Sequence, residues 1–315
     1  MTYTYRPTGV CSQLMEVEVE DGKILRVEVL GGCSGNLQGI SRLLVGMDAE
    51  EAIRRMEGIR CGSKPTSCPD QLAKALKACR EGEQAGMLEE ILRRSLTEDP
   101  LALARFRRYY ELLTEWNAVM NLTAITGEED TARLHFLDCA ALAGLTELRG
   151  KRVIDVGTGA GFPGLVLKIL CPEMELTLLD SLDKRLRFLR TVCEELELRD
   201  VRFLHARAEE APAELRESFD LACSRAVARL NLLAELCLPL VKRGGLFAAM
   251  KGPEAEEELR EAQRGIALLG GKPERVAEYA VPGTALRHNA VLIRKCGDTP
   301  ARYPRKWAQM KKQPL

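Results

Sequence analysis

A chain of 315 residues with 46% hydrophobic and 29% charged residues holds enough apolar material for two folded units, and its composition excludes a disordered or low-complexity protein. No apolar run approaches the roughly 20 residues that span a bilayer, and the opening Met1-Thr-Tyr-Thr-Tyr-Arg6 lacks the apolar core of a signal peptide, so no membrane partner and a cytoplasmic location are expected. The 11 cysteines then read as thiols, packing residues or metal ligands, and the 46 basic residues balance 46 acidic ones, so any nucleic-acid contact must come from local clusters.

In chain order, residues 10–31 alternate apolar and polar positions, as in Val17-Glu18-Val19 and Val27-Glu28-Val29, and Asp21-Gly22 between the two runs suits a type I′ turn, which predicts a β-hairpin. Asp48 with Glu51 reads as a reciprocal N-cap for a helix whose apolar face carries Ala52, Ile53 and Met56. Pro69 opens another helix bearing Leu72, Ala75, Leu76 and Cys79. The periodicity lapses at Gly82-Glu-Gln-Ala-Gly86 and resumes from Met87, which predicts a domain boundary near residue 85: a small α+β module over 1–85 and a second domain over 86–315.

Asp99-Pro100 begins a strong helix with Leu103, Phe106, Tyr109, Tyr110, Leu113 and Trp116 at three- and four-residue spacing, inside a helical extension over 86–148. From Arg152 short apolar strands alternate with helices: 153–156, 176–179, 201–204, 219–222 and 246–250. A helix over 253–269 is followed by two strand-like runs, 275–280 and 287–294. This predicts an α/β Rossmann-like core over 149–296, mostly parallel with an antiparallel edge, and then a basic tail over 297–315. That tail carries Arg302, Arg305, Lys306, Lys311 and Lys312; a second basic cluster is Arg93, Arg94, Arg105, Arg107 and Arg108. Each reads equally well as a nucleic-acid contact or as a solvated surface.

Asp155-Val-Gly157-Thr-Gly159-Ala-Gly161-Phe162-Pro-Gly164 follows the first of these strands and leads into an apolar helix. A dinucleotide fingerprint needs glycine where Phe162 stands, so the loop suits a ligand without a pyrophosphate. Asp180 closes the next strand, 23 residues after Gly157, where a carboxylate accepts hydrogen bonds from both ribose hydroxyls of a nucleoside; the plainer alternative is a tight turn with a capping Asp180. Glu209, at the exit of the third strand, would frame a base or simply cap a helix. Arg225 ends the fourth strand at the ligand-binding edge of the sheet, as a grip on a carboxylate or a substrate base, or as an ordinary ion pair.

These residues, with Trp116-Asn117, Asn121-Leu-Thr-Ala-Ile125, His135-Phe-Leu-Asp138, Leu179-Asp-Ser-Leu182, Lys184-Arg185 and Ser224-Arg-Ala226, closely resemble the RsmG (GidB) family of bacterial methyltransferases over about 87–295. The resemblance implies a class I S-adenosylmethionine-dependent enzyme that methylates guanine N7 in 16S ribosomal RNA, in the decoding region of the small ribosomal subunit. It also implies that Gly157 and Phe162 contact the cofactor, Asp180 takes its ribose, Ala208 and Glu209 flank adenine, and Arg225 completes the pocket. Cys139 stands where the family has serine, and Trp307-Ala-Gln-Met310 where it has small residues.

Guanine N7 carries an in-plane lone pair, so no general base is required; His135, Asp138, Arg225 and Lys251 are the candidates for positioning the substrate. Residues 1–85 resemble the TSCPD family through Thr66-Ser-Cys-Pro-Asp70, Gly32-Cys-Ser-Gly-Asn36 and Cys61-Gly62. There Cys11, Cys33, Cys61 and Cys68 are a candidate thiolate set for zinc, against a plain role in packing. Two other functions stay open at this point: methylation of another nucleic acid or a small molecule, and a metal- or nucleotide-binding regulatory protein related to the TSCPD appendage of some ribonucleotide reductases.

Overall fold

A computed structural model describes the backbone of residues 2–315 and the side chains of all of these except 80–85. It forms two compact units, Met1–Met87 and Leu88–Leu315. Among the described residues no helix is long and apolar enough to cross a membrane.

In the first unit the hairpin forms as β2 (Ser12–Glu20) and β3 (Lys23–Gly31), with β1 (Thr2–Tyr5) antiparallel on the other side of β2. Asp21 and Gly22 hold φ of 49° and 75°, the pair of positive values that a type I′ turn demands. The strands bury Val17, Val19, Ile24 and Val27 against helices α1 (Ser34–Leu44), α2 (Ala49–Met56) and α3 (Cys68–Ser95). Asp48 caps α2 by accepting from the Glu51 amide at 3.0 Å, but the reciprocal half of the box is absent, because the Glu51 carboxylate binds Arg54 and Arg55 instead. The expected break at Gly82–Gly86 does not interrupt the backbone helix, which runs on to Ser95; the side chains at 80–85 lie outside the described residues. Each mid-helix glycine costs only about 1 kcal/mol relative to alanine, so a sequence lapse of this kind need not end a helix whose flanking turns are packed.

The second unit begins with the end of α3, from Leu88, and continues with α4 (Pro100–Met120), capped by Asp99. A short α5 (Glu128–Asp130), a π-helical turn over Thr131–Leu137 and α6 (Asp138–Ala140) follow without a break. Next come β4 (Arg152–Val156), α7 (Gly164–Leu170), β5 (Glu175–Asp180), α8 (Asp183–Glu195), β6 (Val201–His205), β7 (Phe219–Arg225), α9 (Leu230–Cys237), β8 (Val241–Lys251), α10 (Ala255–Leu268), β9 (Gly271–Ala280), β10 (Arg287–Lys295) and α11 (Trp307–Lys312). The sheet order is β6-β5-β4-β7-β8-β10-β9; the first five strands are parallel, and the β9–β10 hairpin adds an antiparallel edge. This is the mostly parallel sheet with an antiparallel edge expected from the alternating strands and helices, and it agrees with the class I methyltransferase fold that the resemblance implies. Strand order reverses at β4, which places a crevice at the carboxyl ends of β4, β5 and β7.

One crossover is unusual. Between β6 and β7 the chain forms only two 3₁₀ turns, Ala208–Glu210 and Ala213–Leu215, where a parallel connection ordinarily carries a helix. The apolar surface on that side of the sheet is covered by α9, α10 and the carboxyl-terminal segment, which contributes buried Tyr303 and Met310 and partly buried Trp307 and Leu315 to the same cluster as Leu179, Leu215 and Phe219.

Candidate active site

The glycine-rich loop is shaped from below. The amides of Gly157 and Thr158 both donate to the Leu179 carbonyl at 2.9 and 3.1 Å, which curls the loop over the end of β5. Asp155, fully buried, ties the two ends of the loop together: its Oδ2 accepts from the Thr158 hydroxyl at 2.7 Å and the Gly164 amide at 2.9 Å. Burial pushes this carboxyl up to about 6 in spite of those two donors. Gly161 sits at φ 100°, and a β-carbon there would run into the Tyr109 hydroxyl, which donates to the Ala160 carbonyl. The α4 helix therefore braces the loop, a role that its apolar periodicity did not announce.

The loop forms one side of a cleft of about 950 Å³. Every residue expected to bind cofactor or substrate lines it: Gly157, Phe162, Asp180, Ala208, Glu209 and Arg225, and also His135, Asp138 and Lys251. Asp180 is buried at the end of β5 and accepts from the Gly159 amide at 3.0 Å, the Leu182 amide at 2.9 Å and Arg185 Nη1 at 3.3 Å. It thus makes a local turn and also faces the cleft. A carboxylate offers about four acceptor positions, so a ligand diol would use the remaining one and compete with the long bond from the half-exposed Arg185. Glu209 and Ala208 lie on the 3₁₀ turn after β6, beyond Asp180 from the loop.

Against the loop, on the β7 side of β4, lies a polar network centred on Arg225 and Asp138. Arg225 Nη1 donates to Asp138 Oδ2 and to the Leu134 carbonyl, both at 3.0 Å, and Nη2 donates to His135 Nδ1 at 2.8 Å. Its guanidinium also sits over the Phe162 ring, 5.0 Å from the centroid, and the His135 ring stacks on Phe162 at 4.2 Å. Three of the five N–H donors of Arg225 are used in this way, which leaves Nε–H and one Nη2–H for a ligand. Ala226, just after Arg225, is held at φ 56°, an uncommon conformation for a residue with a β-carbon. Asp138 Oδ1 accepts from the Tyr279 hydroxyl at 3.0 Å and pairs with His288 Nδ1 at 2.8 Å. The π-helical turn and the start of α6 bring His135 and Asp138 to the same wall, and such turns recur at functional positions.

Arginine can only donate, so His135 Nδ1 must accept and the ring proton must sit on Nε2, 2.8 Å from the Thr123 hydroxyl. Burial, reinforced by the Arg225 charge, pushes the His135 pKa down to about 3. We expect the ring to stay the neutral Nε2–H tautomer from pH 8 to pH 5, a result that ¹⁵N chemical shifts of the imidazole check directly. Because the folded value lies below the unfolded one, the stabilisation is complete above about pH 6.5 and is lost as pH falls toward 3, with a slope of up to about 1.4 kcal/mol per pH unit.

Some of the expected groups are already engaged by other residues. Lys251 pairs with Glu258 at 2.7 Å and donates to the Ala228 carbonyl, so its charge is committed inside the wall. Trp116 packs against Phe188, in keeping with its place in the apolar spacing of α4. In the first basic cluster Arg107 is held by Glu89 and Glu128, Arg108 by Glu111 and Glu195, and Arg94 by Glu90, so most of its charge is neutralised locally. In the tail, Arg305 is bound to the buried Glu235, while Arg302, Lys306, Lys311 and Lys312 are exposed. Tyr279, His288, Thr123 and Trp307 line the cleft and were not singled out as site residues by sequence. The chain has only three histidines, and that scarcity was the one available signal for His288.

The zinc expectation is not upheld. Cys11, Cys33 and Cys61 are exposed free thiols and Cys68 is half-buried. Among the described residues no three or more His, Cys, Asp or Glu side chains come together in a way that could hold a metal ion. Instead, Lys64 Nζ donates to Cys11 Sγ and the Ser12 hydroxyl to Cys68 Sγ, each at 3.5 Å. The Thr66–Asp70 string acts as a buckle: Asp70 accepts from the Thr66 hydroxyl and from the Gly58 amide, which, helped by Lys74, hold its carboxyl down at about 2.

The family model of GidB, described as rRNA small subunit methyltransferase G, matches residues 102–286. The chain belongs to this family. Membership makes it an S-adenosylmethionine-dependent methyltransferase. A ribosomal RNA small subunit methyltransferase G of Clostridium perfringens is 47% identical over 214 residues, which cover 67% of this chain and 90% of that protein. The Clostridium tetani protein of the same name is 46% identical over 213 residues, covering 67% and 89%. The TSCPD domain model matches residues 1–79. Among solved structures, TrmN from Thermus thermophilus aligns at a TM-score of 0.40 and 23% identity, over 50% of this chain and 48% of that one.

Proposed function

We propose that this enzyme methylates guanine N7 in the decoding region of 16S ribosomal RNA, using residues 86–315, with residues 1–85 as an accessory TSCPD module. The observation that carries the reading is that Asp180 and the Arg225–Asp138–His135 network line one cleft at the strand-order reversal, at the ends of β5 and β7 on either side of β4. S-adenosylmethionine supplies an electrophilic methyl group on sulfur. The chain's residues fit it: backbone at Gly159 is bare enough for close approach, Asp180 keeps acceptor capacity for a ribose, and Ala208 with Glu209 offers a short, partly apolar shelf for a base.

On the other wall the groups suit a base that needs no deprotonation. His135 is neutral with both nitrogens engaged, so it cannot serve as a general base; it and Phe162 form a stacked, rigid surface. Arg225, with two N–H donors unused, and His288 both line the cleft, which makes them the groups to bind the polar edge of a purine. Rate enhancement then comes from alignment and fixed dipoles rather than proton transfer. A splayed-out RNA base reaches such a cleft as single-stranded loops do.

Incubation with labelled S-adenosylmethionine and under-methylated small ribosomal subunits, or their RNA, should yield 7-methylguanine at one position by mass spectrometry. Methylation of a different base, or of free nucleosides with equal efficiency, would replace this reading with that of a methyltransferase for another nucleic acid or a small molecule.

A further inference from the structure

The carboxyl-terminal segment is anchored far more firmly than a solvated basic tail requires. Arg216 donates to the Thr299, Pro300 and Tyr303 carbonyls. Lys295, fully buried, binds Glu217 at 2.9 Å, the Leu238 carbonyl at 2.8 Å and the Thr299 hydroxyl. Arg305 reaches the buried Glu235 three times, through its amide at 2.8 Å, Nε at 2.9 Å and Nη2 at 2.7 Å. Taking such charges out of water is costly, so they hold the segment in one place rather than decorate it.

What these anchors deliver is Trp307. It is the first residue of α11, one turn before the fully buried Met310, and two residues past the Arg305–Glu235 pair. Glu235 is followed by Leu236, which lines the cleft, as does Trp307 itself. The indole packs against the cluster that includes Leu236, the same cluster that Ala206 and Ala208 pack against, on the side of the sheet where the β6–β7 crossover lacks its helix. It stays half-buried, with one part against this cluster and another toward the cleft.

We propose that Trp307 forms the wall of the base-binding end of the cleft and stacks on the adenine ring of the cofactor, so that the tail completes the cofactor site. The inference rests on the cofactor reading above, because it takes its direction from a ribose on Asp180 and a base beyond it at Ala208–Glu209. A half-buried indole that lines the same cleft as the small Ala206 and Ala208 side chains has the shape and polarisability to stack on a purine ring.

The chain has two tryptophans, Trp116 and Trp307. In a Trp116→Phe background the remaining fluorescence reports Trp307 alone, and titration with S-adenosylhomocysteine should quench it saturably. The dissociation constant, measured by calorimetry, should rise roughly ten- to a hundredfold in Trp307→Leu and stay within a few-fold in Trp307→Phe, which keeps an aromatic face. A purely structural indole would show the two variants alike, and equal affinities would overturn the proposal; so would the absence of quenching on saturable binding. If wild-type protein binds no S-adenosylhomocysteine, the cofactor reading itself falls, and the inference with it; binding that Asp180→Ala abolishes and Trp307→Leu leaves intact removes the inference alone.

Discussion

Asp180→Ala should weaken S-adenosylmethionine binding about a hundredfold or more and take methyl transfer with it. The magnitude follows from removing a charged acceptor for ribose hydroxyls, worth roughly 1.5–3 kcal/mol for each such bond. Part of the loss is indirect, because the carboxylate also holds the Gly159 amide at 3.0 Å and the Leu182 amide at 2.9 Å. Asp180→Asn separates the two contributions: its amide oxygen can still accept a local amide, while its NH₂ group presents donors where the ribose presents donors. Calorimetric titration with S-adenosylmethionine is the measurement. Affinity within threefold of wild type in both variants would mean that Asp180 shapes the turn only.

Arg305→Ala should destabilise the Leu88–Leu315 unit by about 3–5 kcal/mol, because it strands Glu235, whose side chain is 1% exposed, as an unpaired buried charge. The urea midpoint, followed by fluorescence of the two tryptophans, both of which belong to this unit, should fall by roughly 1–2 M. Replacing both partners by leucine should cost much less, since no charge is then left buried. A loss below about 1 kcal/mol for Arg305→Ala would mean that Glu235 finds water, and the tail would lose its main anchor beside the cleft.

The features legible in the sequence were those whose signal lies within a few dozen residues. The glycine-rich loop and Asp180 could be placed because a strand, a tight turn, a helix and a second strand must follow one another at fixed spacing, and Asp180 stands at the end of β5 with its side chain lining the cleft. The β9–β10 hairpin was readable in the same way, but its chemistry was not. Tyr279 and His288 meet Asp138 across 141 and 150 residues, through the register of an edge hairpin that no local pattern fixes. The Cys11, Cys33, Cys61 and Cys68 thiols failed in the opposite direction: residue type suggested a ligand set, and the fold left three of them on the surface.

By itself, then, the sequence determined the class of the fold, the nucleoside-type loop and the family, because hydrophobic periodicity and glycine spacing are local constraints on backbone geometry. Only the tertiary structure decided which charges are spent and which remain for a ligand. Arg225, Lys251, Arg107 and Arg305 look alike as cations in a string of letters. Packing commits Lys251 to Glu258, Arg107 to Glu89 and Glu128, and Arg305 to Glu235, while Arg225 is paired at the cleft wall with donors to spare. The value of a charge is set by the partners and the burial that folding gives it, and neither is written in the residue itself.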